Sequence, residues 1–569
     1  MADSATIDLQ VGIEIPLRDG VLLSANLYTP KGQHEAGPCI ASLTPYMADH
    51  LHDRGVYFAA RGLPFLAVDV RGRGNSGGVF QPHIQEAQDG YDVVTWLARQ
   101  PYCNGKVGMY GGSYLGYAQW VTAAKHPVSL MTIVPTAAPY IGVDVPIRNN
   151  IASADSVHWL AIVSGHAAYP KSMSDQSFWS SKHREWFESG RSLREADAAL
   201  GYPSPIFQEW LSHPEPDEYL DVRNPTAVEL AWLQIPVLTI TGAYDGNQPG
   251  ALEHYRRHMR AASPAARTRH YLVIGPWNHA GCALPSAEFE GLKVGSESVI
   301  DMFGLHLAWY QWTMQGGPKP EFLRDRVTYY VTGAEQWRYA PTLEDVTTRL
   351  RPYYLSSTGN PADIFGTGFL EPRAPGLGEP DHYVYDPRDV SLASVESTLD
   401  SGVLRDQRML YAAVGKELIY HSAPFDADVE ISGFFKFVAW ISIDQPDTDF
   451  AVRIYEIDSS GASLQLTAAC LRARYRESTR TASLIRGVTP LPYEFNQFMF
   501  TARMIRKGHR LRLVFGPASS IYEEKNYNSG GVVAEESMKD ARTVKVRLFH
   551  DEAHPTALYL PMGRGHVCK

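Results

Sequence analysis

At 569 residues the chain is too long for one hydrophobic core, and domain-size scaling divides it into two to four domains. Its composition, 44% hydrophobic and 20% charged, is that of a globular protein, and a net charge of −10 argues against a nucleic-acid or anionic-membrane surface. Five scattered cysteines (Cys39, Cys103, Cys282, Cys470, Cys568), odd in number and without C-x-x-C spacing, point to reduced structural thiols rather than disulfides or zinc ligands. The first residues, Met1-Ala2-Asp3-Ser4, carry acid where a signal peptide needs a basic region, and no apolar run is long enough to span a bilayer, so a cytoplasmic location with no membrane partner is expected.

From the N-terminus to about 140, apolar strands alternate with helices, the mark of a parallel α/β sheet. A hairpin over 12–17 and 21–28 opens the chain, followed by strands over 38–43 and 65–70 and helices near 51–60 and 85–99. Val107 to Tyr110 then predicts a short buried strand, a glycine-rich turn at Gly111-Gly112-Ser113, and a helix running on through Ala124. Such an elbow strains its serine and lifts the hydroxyl off the sheet. The pattern G-x-S-x-G is not met literally, because Leu115 holds the last position and the glycine follows at Gly116. A literal match, Gly74-Asn75-Ser76-Gly77-Gly78, lies in a loop followed by Val79-Phe80-Gln81-Pro82 without helical periodicity, so no elbow forms there. The same loop carries Gly72-x-Gly74-x-x-Gly77, a formal dinucleotide fingerprint that does not open into a helix and is rejected as a nucleotide site.

From 144 to 235 the pattern turns helical and aromatic, as in a cap inserted between sheet strands; its tryptophans and phenylalanines are either helix core or pocket wall, and periodicity does not separate the two. Strands resume at 236–241, ending at Tyr244-Asp245-Gly246, and at 270–274, ending at Trp277-Asn278-His279. The expected domains are therefore 1–143 and 236–322 for an α/β-hydrolase, 144–235 for the cap, and 323–569 for an antiparallel β-sandwich, where strict alternation is plain at 450–454, 510–515 and 544–548. A serine nucleophile needs a histidine to take its proton and an acid to orient the histidine. In this fold the order is Ser, acid, His, each at a strand end, which Ser113, Asp245 and His279 satisfy. Tyr114 N–H and the Tyr46 hydroxyl are the candidate oxyanion donors.

With Thr44-Pro45-Tyr46, Asp69-Val70-Arg71-Gly72, Asp89-Gly90-Tyr91-Asp92, Gly111-Gly112-Ser113-Tyr114-Leu115-Gly116, Gly275-Pro276-Trp277-Asn278-His279, Asp447-Thr448-Asp449-Phe450 and Arg474-Tyr475-Arg476-Glu477, the chain resembles the cocaine esterase and X-prolyl dipeptidyl peptidase family of serine hydrolases. The resemblance implies a hydrolase domain, a cap and a C-terminal jelly roll. It also implies Ser113 as nucleophile, His279 as base, Asp245 as acid and Tyr46 with Tyr114 N–H as oxyanion hole, and G-x-S-Y-x-G is that family's form of the elbow. By the same resemblance Trp159 is expected at a pocket wall; Trp277, two residues before His279, is expected to brace the histidine loop and is a candidate substrate neighbour. Asn247 stands where relatives resembling cocaine esterase carry an aromatic, and Met47-Ala48-Asp49-His50 departs from their Asp-Lys, so Asp49 and His50 are either a polar subsite or a solvated loop. The expected activity is cleavage of a small-molecule ester or amide without metal or organic cofactor. The alternatives are an X-prolyl dipeptidyl aminopeptidase-like peptidase and an acyltransferase on the same triad; the oligomeric state, homo-oligomer included, is left open.

Overall fold

The computed structural model describes residues 6–32, 35–166, 175–399 and 404–564. Ten strands form one sheet: β1 (Ile7–Pro16), β2 (Leu22–Pro30), β3 (Gly37–Thr44), β4 (Phe65–Asp69), β5 (Cys103–Gly112), β6 (Leu130–Thr136), β7 (Val237–Tyr244), β8 (His270–Asn278), β9 (Val327–Val331) and β10 (Gln336–Ala340). Their spatial order is β1-β2-β4-β3-β5-β6-β7-β8-β9-β10. The strands from β4 to β9 run parallel, and β1, β2 and β10 close the edges antiparallel. β4 (Phe-Leu-Ala-Val-Asp) is buried along its whole length, which is why its first four residues are a continuous apolar run rather than an alternation.

Helices α1 (His52–Ala59), α2 (Glu86–Leu97) and α3 (Tyr114–Ala124) follow β3, β4 and β5; α4 (Ser156–Ile162), α5 (Gln176–Ser189) and α6 (Pro205–Trp210) lie in the insertion between β6 and β7; α7 (Gln248–Ala261) and α8 (Met302–Gln315) follow β7 and β8. One face of the sheet packs Val93, Leu97, Ala118 and Trp120 over Leu66, Val68 and Met109, and the other packs Phe58, Trp309 and Tyr310 over Ile40, Phe65 and Val134. A Cβ on Gly90 of α2 would sit 1.9 Å from Thr122 Oγ1 of α3, so glycine there lets the two helices close up.

The remaining strands, from 349 to 562, build a β-sandwich whose core is rich in phenylalanine (Phe437, Phe450, Phe495, Phe515). Two strands past the expected boundary at 322/323 join the hydrolase sheet. β9 and β10 extend the hydrolase sheet, β9 pairing parallel with β8 (Leu272 beside Val327), so that sheet continues to Ala340. A strand pattern shows that Val327–Val331 is extended and buried but not which neighbour it pairs with, and the open edge of β8 takes it. Thr332 then ties the two sheets together, its N–H donating to Ala502 O (3.1 Å) and its carbonyl accepting from Met504 N–H (2.8 Å).

The sandwich also holds the cap. Arg472, 1% exposed, grips Asp449 with two nitrogens (2.8 and 2.9 Å), Glu524 (2.8 Å) and the Asn150 carbonyl of the cap loop (2.9 Å). Arg474 does the same for Asp447, and Asn526 Nδ2 bridges Asp447 and Asp449 at 2.8 Å each. The Asp447-x-Asp449 and Arg474 motifs are thus part of a buried ionic cluster inside the sandwich, from which Arg472 reaches the cap. Cys39, Cys103, Cys282 and Cys470 are free thiols; Cys568 lies outside the described residues.

Candidate active site

The elbow forms as its sequence demands. Ser113 sits at φ 59°, ψ −127°, a conformation that costs an ordinary residue on the order of 1–3 kcal/mol. It is held there by its N–H donating to Thr136 O (2.8 Å) and its carbonyl accepting from Gly116 and Tyr117 N–H (2.8 and 3.0 Å). Leu115 is tolerated because the space is cleared elsewhere. Gly111 has φ 135°, and a Cβ on it would lie 2.5 Å from Leu115 Cβ; one on Gly116 would lie 2.8 Å from Thr136 O. Ser76, by contrast, is buried with its hydroxyl committed to Asp69 O (2.7 Å) and to Ser24 N–H (2.8 Å), a strut rather than a nucleophile.

Asp245 follows β7 and His279 follows β8. Asp245, 0% exposed, accepts from His279 Nδ1 (2.7 Å), Asn247 N–H (3.0 Å) and Thr241 Oγ1 (3.0 Å), and the Cys282 thiol lies 3.7 Å away. These donors fix the carboxylate and leave His279 Nε2 as the nitrogen free to exchange a proton. Burial works against the imidazolium, but the hydrogen bond and charge of Asp245, with a further contribution from Asp144, outweigh it and raise the His279 pKa above its ordinary value.

A cavity of about 270 Å³ opens over Ser113. Tyr46, Tyr114, Trp159 and Asn247, all anticipated, line it with Ser113. Tyr114 N–H belongs to the first turn of α3, which has no intrahelical acceptor. The Tyr46 hydroxyl accepts from Trp159 Nε1 at 3.0 Å, so the cap tryptophan is at once a wall and the support of an oxyanion candidate. The cap aromatics divide: Trp179, Trp186, Phe187 and Phe207 are core, while Trp159 and Trp210 face the cavity.

Trp277 is corrected as a substrate neighbour. It is fully buried, donates to Ser298 O (3.1 Å) and packs on Trp337, so it braces the histidine loop from below. Asp49 and His50 are exposed and do not line the cavity; Asp49 accepts from Asn26 (2.7 Å). Residues without any sequence signal line it instead. Asp144, held by Tyr140 N–H (2.8 Å), Gly250 N–H (3.0 Å) and Asn247 (3.2 Å), is pushed up to about 7 by burial despite these donors. Asp155 lies 3.6 Å from His158 and 3.5 Å from His183, and burial keeps His183 near 4 and uncharged. Behind Tyr114, the buried Glu86 accepts from its hydroxyl and is pushed up to about 7, chiefly by burial. Among the described residues no group of three His, Cys, Asp or Glu side chains could hold a metal ion, and no helix is long and apolar enough to cross a membrane.

A parallel sheet with an inserted helical cap, a serine on a strained elbow and an Asp–His pair at later strand ends define a serine hydrolase of the α/β-hydrolase class. The X-Pro dipeptidyl-peptidase (S15 family) profile matches residues 19–281, and that of the X-Pro dipeptidyl-peptidase C-terminal non-catalytic domain matches residues 323–558. The chain is 26% identical to the cocaine esterase of Rhodococcus sp. (strain MB1 Bresler), over 97% of this chain and 98% of that protein. Its fold superposes on an aminopeptidase from a marine sediment Thaumarchaeota archaeon (TM-score 0.84, 20% identity, 98% and 96% of the two chains) and on an α-amino acid ester hydrolase (TM-score 0.82, 21% identity, 99% and 98%). The chain belongs to the cocaine esterase and X-Pro dipeptidyl-peptidase (S15) family of serine hydrolases.

Proposed function

We propose that the protein cleaves an ester or amide through an acyl-enzyme on Ser113. Ser113 Oγ attacks the carbonyl carbon while its proton passes to His279 Nε2; Tyr114 N–H and the Tyr46 hydroxyl take the charge on the carbonyl oxygen. Collapse breaks the acyl bond, the leaving alcohol or amine takes the proton from His279, and water, deprotonated by the same imidazole, releases the acid. The observation that carries this reading is the 2.7 Å Asp245–His279 contact, joined through Asn247 to the cavity that Ser113 lines. The test is stopped-flow with p-nitrophenyl acetate: a burst of one nitrophenolate per enzyme, absent in Ser113→Ala and slowed by at least about a hundred-fold in His279→Ala, is expected. A full burst in Ser113→Ala removes the reading.

A second reading, aminopeptidase-like cleavage of acyl groups that carry an amine, is favoured by one observation. Asp144 and Asp155 line the cavity, and no lysine or arginine does among the described residues. The aminopeptidase and amino acid ester hydrolase of like fold act, by their names, on such substrates. Comparing an aminoacyl ester with its des-amino analogue on wild type and Asp144→Asn decides between the two.

A further inference from the structure

His83 stands in an unusual state. It occupies the left-handed backbone region (φ 65°), which histidine enters more readily than most side chains, and is pinned there by the elbow helix: its N–H donates to the Tyr114 hydroxyl (3.2 Å) and its carbonyl accepts from the Tyr117 hydroxyl (3.0 Å). The residue is 4% exposed, with Tyr114, Tyr117, Trp159 and Trp210 rings against its imidazole at centroid distances from 4.8 to 6.4 Å. Neither ring nitrogen has a hydrogen-bond partner among the described residues, yet the side chain lines the cavity that holds Ser113. The imidazole thus presents an unpaired polar edge to the cavity beside the reacting centre. Burial, and next the Arg223 charge, push the imidazole down to about 3, so it is uncharged at working pH and offers one N–H donor and one nitrogen acceptor.

We propose that His83 is a specificity-determining residue that hydrogen-bonds a hydroxyl group of the substrate, selecting acyl or alcohol parts made of a flat apolar body with a hydroxylated end. The body lies against Trp159 and Trp210, and the hydroxyl satisfies the imidazole that the protein leaves unpaired. This role rests on the reading of Ser113 as nucleophile, because it places His83 in the substrate cavity. It is distinct from the role of Asp144 and Asp155 in that cavity, whose carboxylates suit a cation, whereas an uncharged imidazole suits a neutral polar group. Substrates lacking the hydroxyl leave the imidazole buried and unpaired, which is the condition under which a pocket discriminates strongly.

The test uses ester pairs differing by one hydroxyl: p-nitrophenyl 3-phenylpropanoate against its 3- and 4-hydroxyphenyl analogues for the acyl side, and benzyl acetate against the hydroxybenzyl acetates for the alcohol side. The wild type is expected to favour a hydroxylated member by about ten-fold or more in kcat/KM. His83→Phe, which keeps a flat ring, should bring that ratio within about two-fold, and His83→Asn, which tolerates the left-handed backbone and keeps a donor and an acceptor, should retain part of it. Should His83→Phe fail to fold, the wild-type ratio and its change in His83→Asn decide. No preference in any wild-type pair, or a preference undiminished in the variants, overturns the proposal. Fluorophosphonate labelling run alongside separates the two claims: Ser113 labelled with an unchanged ratio removes His83 alone, and Ser113 unlabelled in the wild type removes the nucleophile.

Discussion

Gly116→Ala, a single methyl far from any substrate atom, is predicted to disable the elbow. The added Cβ would lie 2.8 Å from Thr136 O and 3.0 Å from Ala138 Cβ, both on β6 or its continuation, where ordinary contact begins near 3.4 Å. Neither neighbour is a flexible side-chain end, so α3 must retreat from the sheet by roughly 0.6 Å, carrying Ser113 and Tyr114 N–H with it. Since a misplacement of about 1 Å costs about a hundred-fold in rate, a retreat of that size predicts a loss of about ten- to thirty-fold in kcat/KM. Stability should suffer less, because an overpacking cost of about 1–3 kcal/mol is offset by about 1 kcal/mol from alanine's helix propensity. The assay is kcat/KM on p-nitrophenyl butyrate with thermal unfolding alongside, and Gly112→Ala is the control, its Cβ meeting nothing nearer than 3.3 Å. Activity within two-fold of wild type in Gly116→Ala, or an equal loss in Gly112→Ala, refutes the reasoning.

Trp159→Phe keeps a ring but loses the 3.0 Å bond to the Tyr46 hydroxyl, and should lower kcat by about three- to ten-fold with KM little changed, while Trp159→Ala also shifts relative kcat/KM among acyl groups by about ten-fold; equal losses on small and bulky acyl esters in both variants would make Trp159 cap core only. Asp144 raises the His279 pKa, and the base must be unprotonated to act, so Asp144→Asn should move the acid limb of the kcat/KM profile to lower pH; a move to higher pH contradicts the sign. Arg472→Met strands Asp449 and Glu524 in the interior and should cost about 3–5 kcal/mol in urea denaturation, against less than about 1 kcal/mol for the exposed pair partner change Arg480→Met.

The elbow was legible because strain at one residue demands glycine around it, and the strand before Ser113 and helix after it distinguish that site from the literal motif at Ser76. The pairing of Asp245 with His279 was legible from chain order and strand ends, where an open parallel sheet gathers its polar loops. The cap was legible as an insertion but not in its parts: Trp159 and Trp179 both lie in cap helices, and only packing sends the first to the cavity and the second to the core. Asp144, Glu86 and His83 left no pattern at all, each being one polar residue brought to Ser113 or Tyr114 across the fold. The pairing of Val327–Val331 with β8 was hidden for a related reason, since a buried strand's sequence reports its burial and not its neighbour.

The central claim, that Ser113 is the nucleophile, is tested most directly by treating wild type, Ser113→Ala and Ser76→Ala with a fluorophosphonate and reading the modified peptide by mass spectrometry. The account predicts one label on the peptide containing Ser113 in wild type and Ser76→Ala, and none in Ser113→Ala, with esterase activity lost in step. A label on any other residue, or esterase activity surviving in Ser113→Ala, would contradict it.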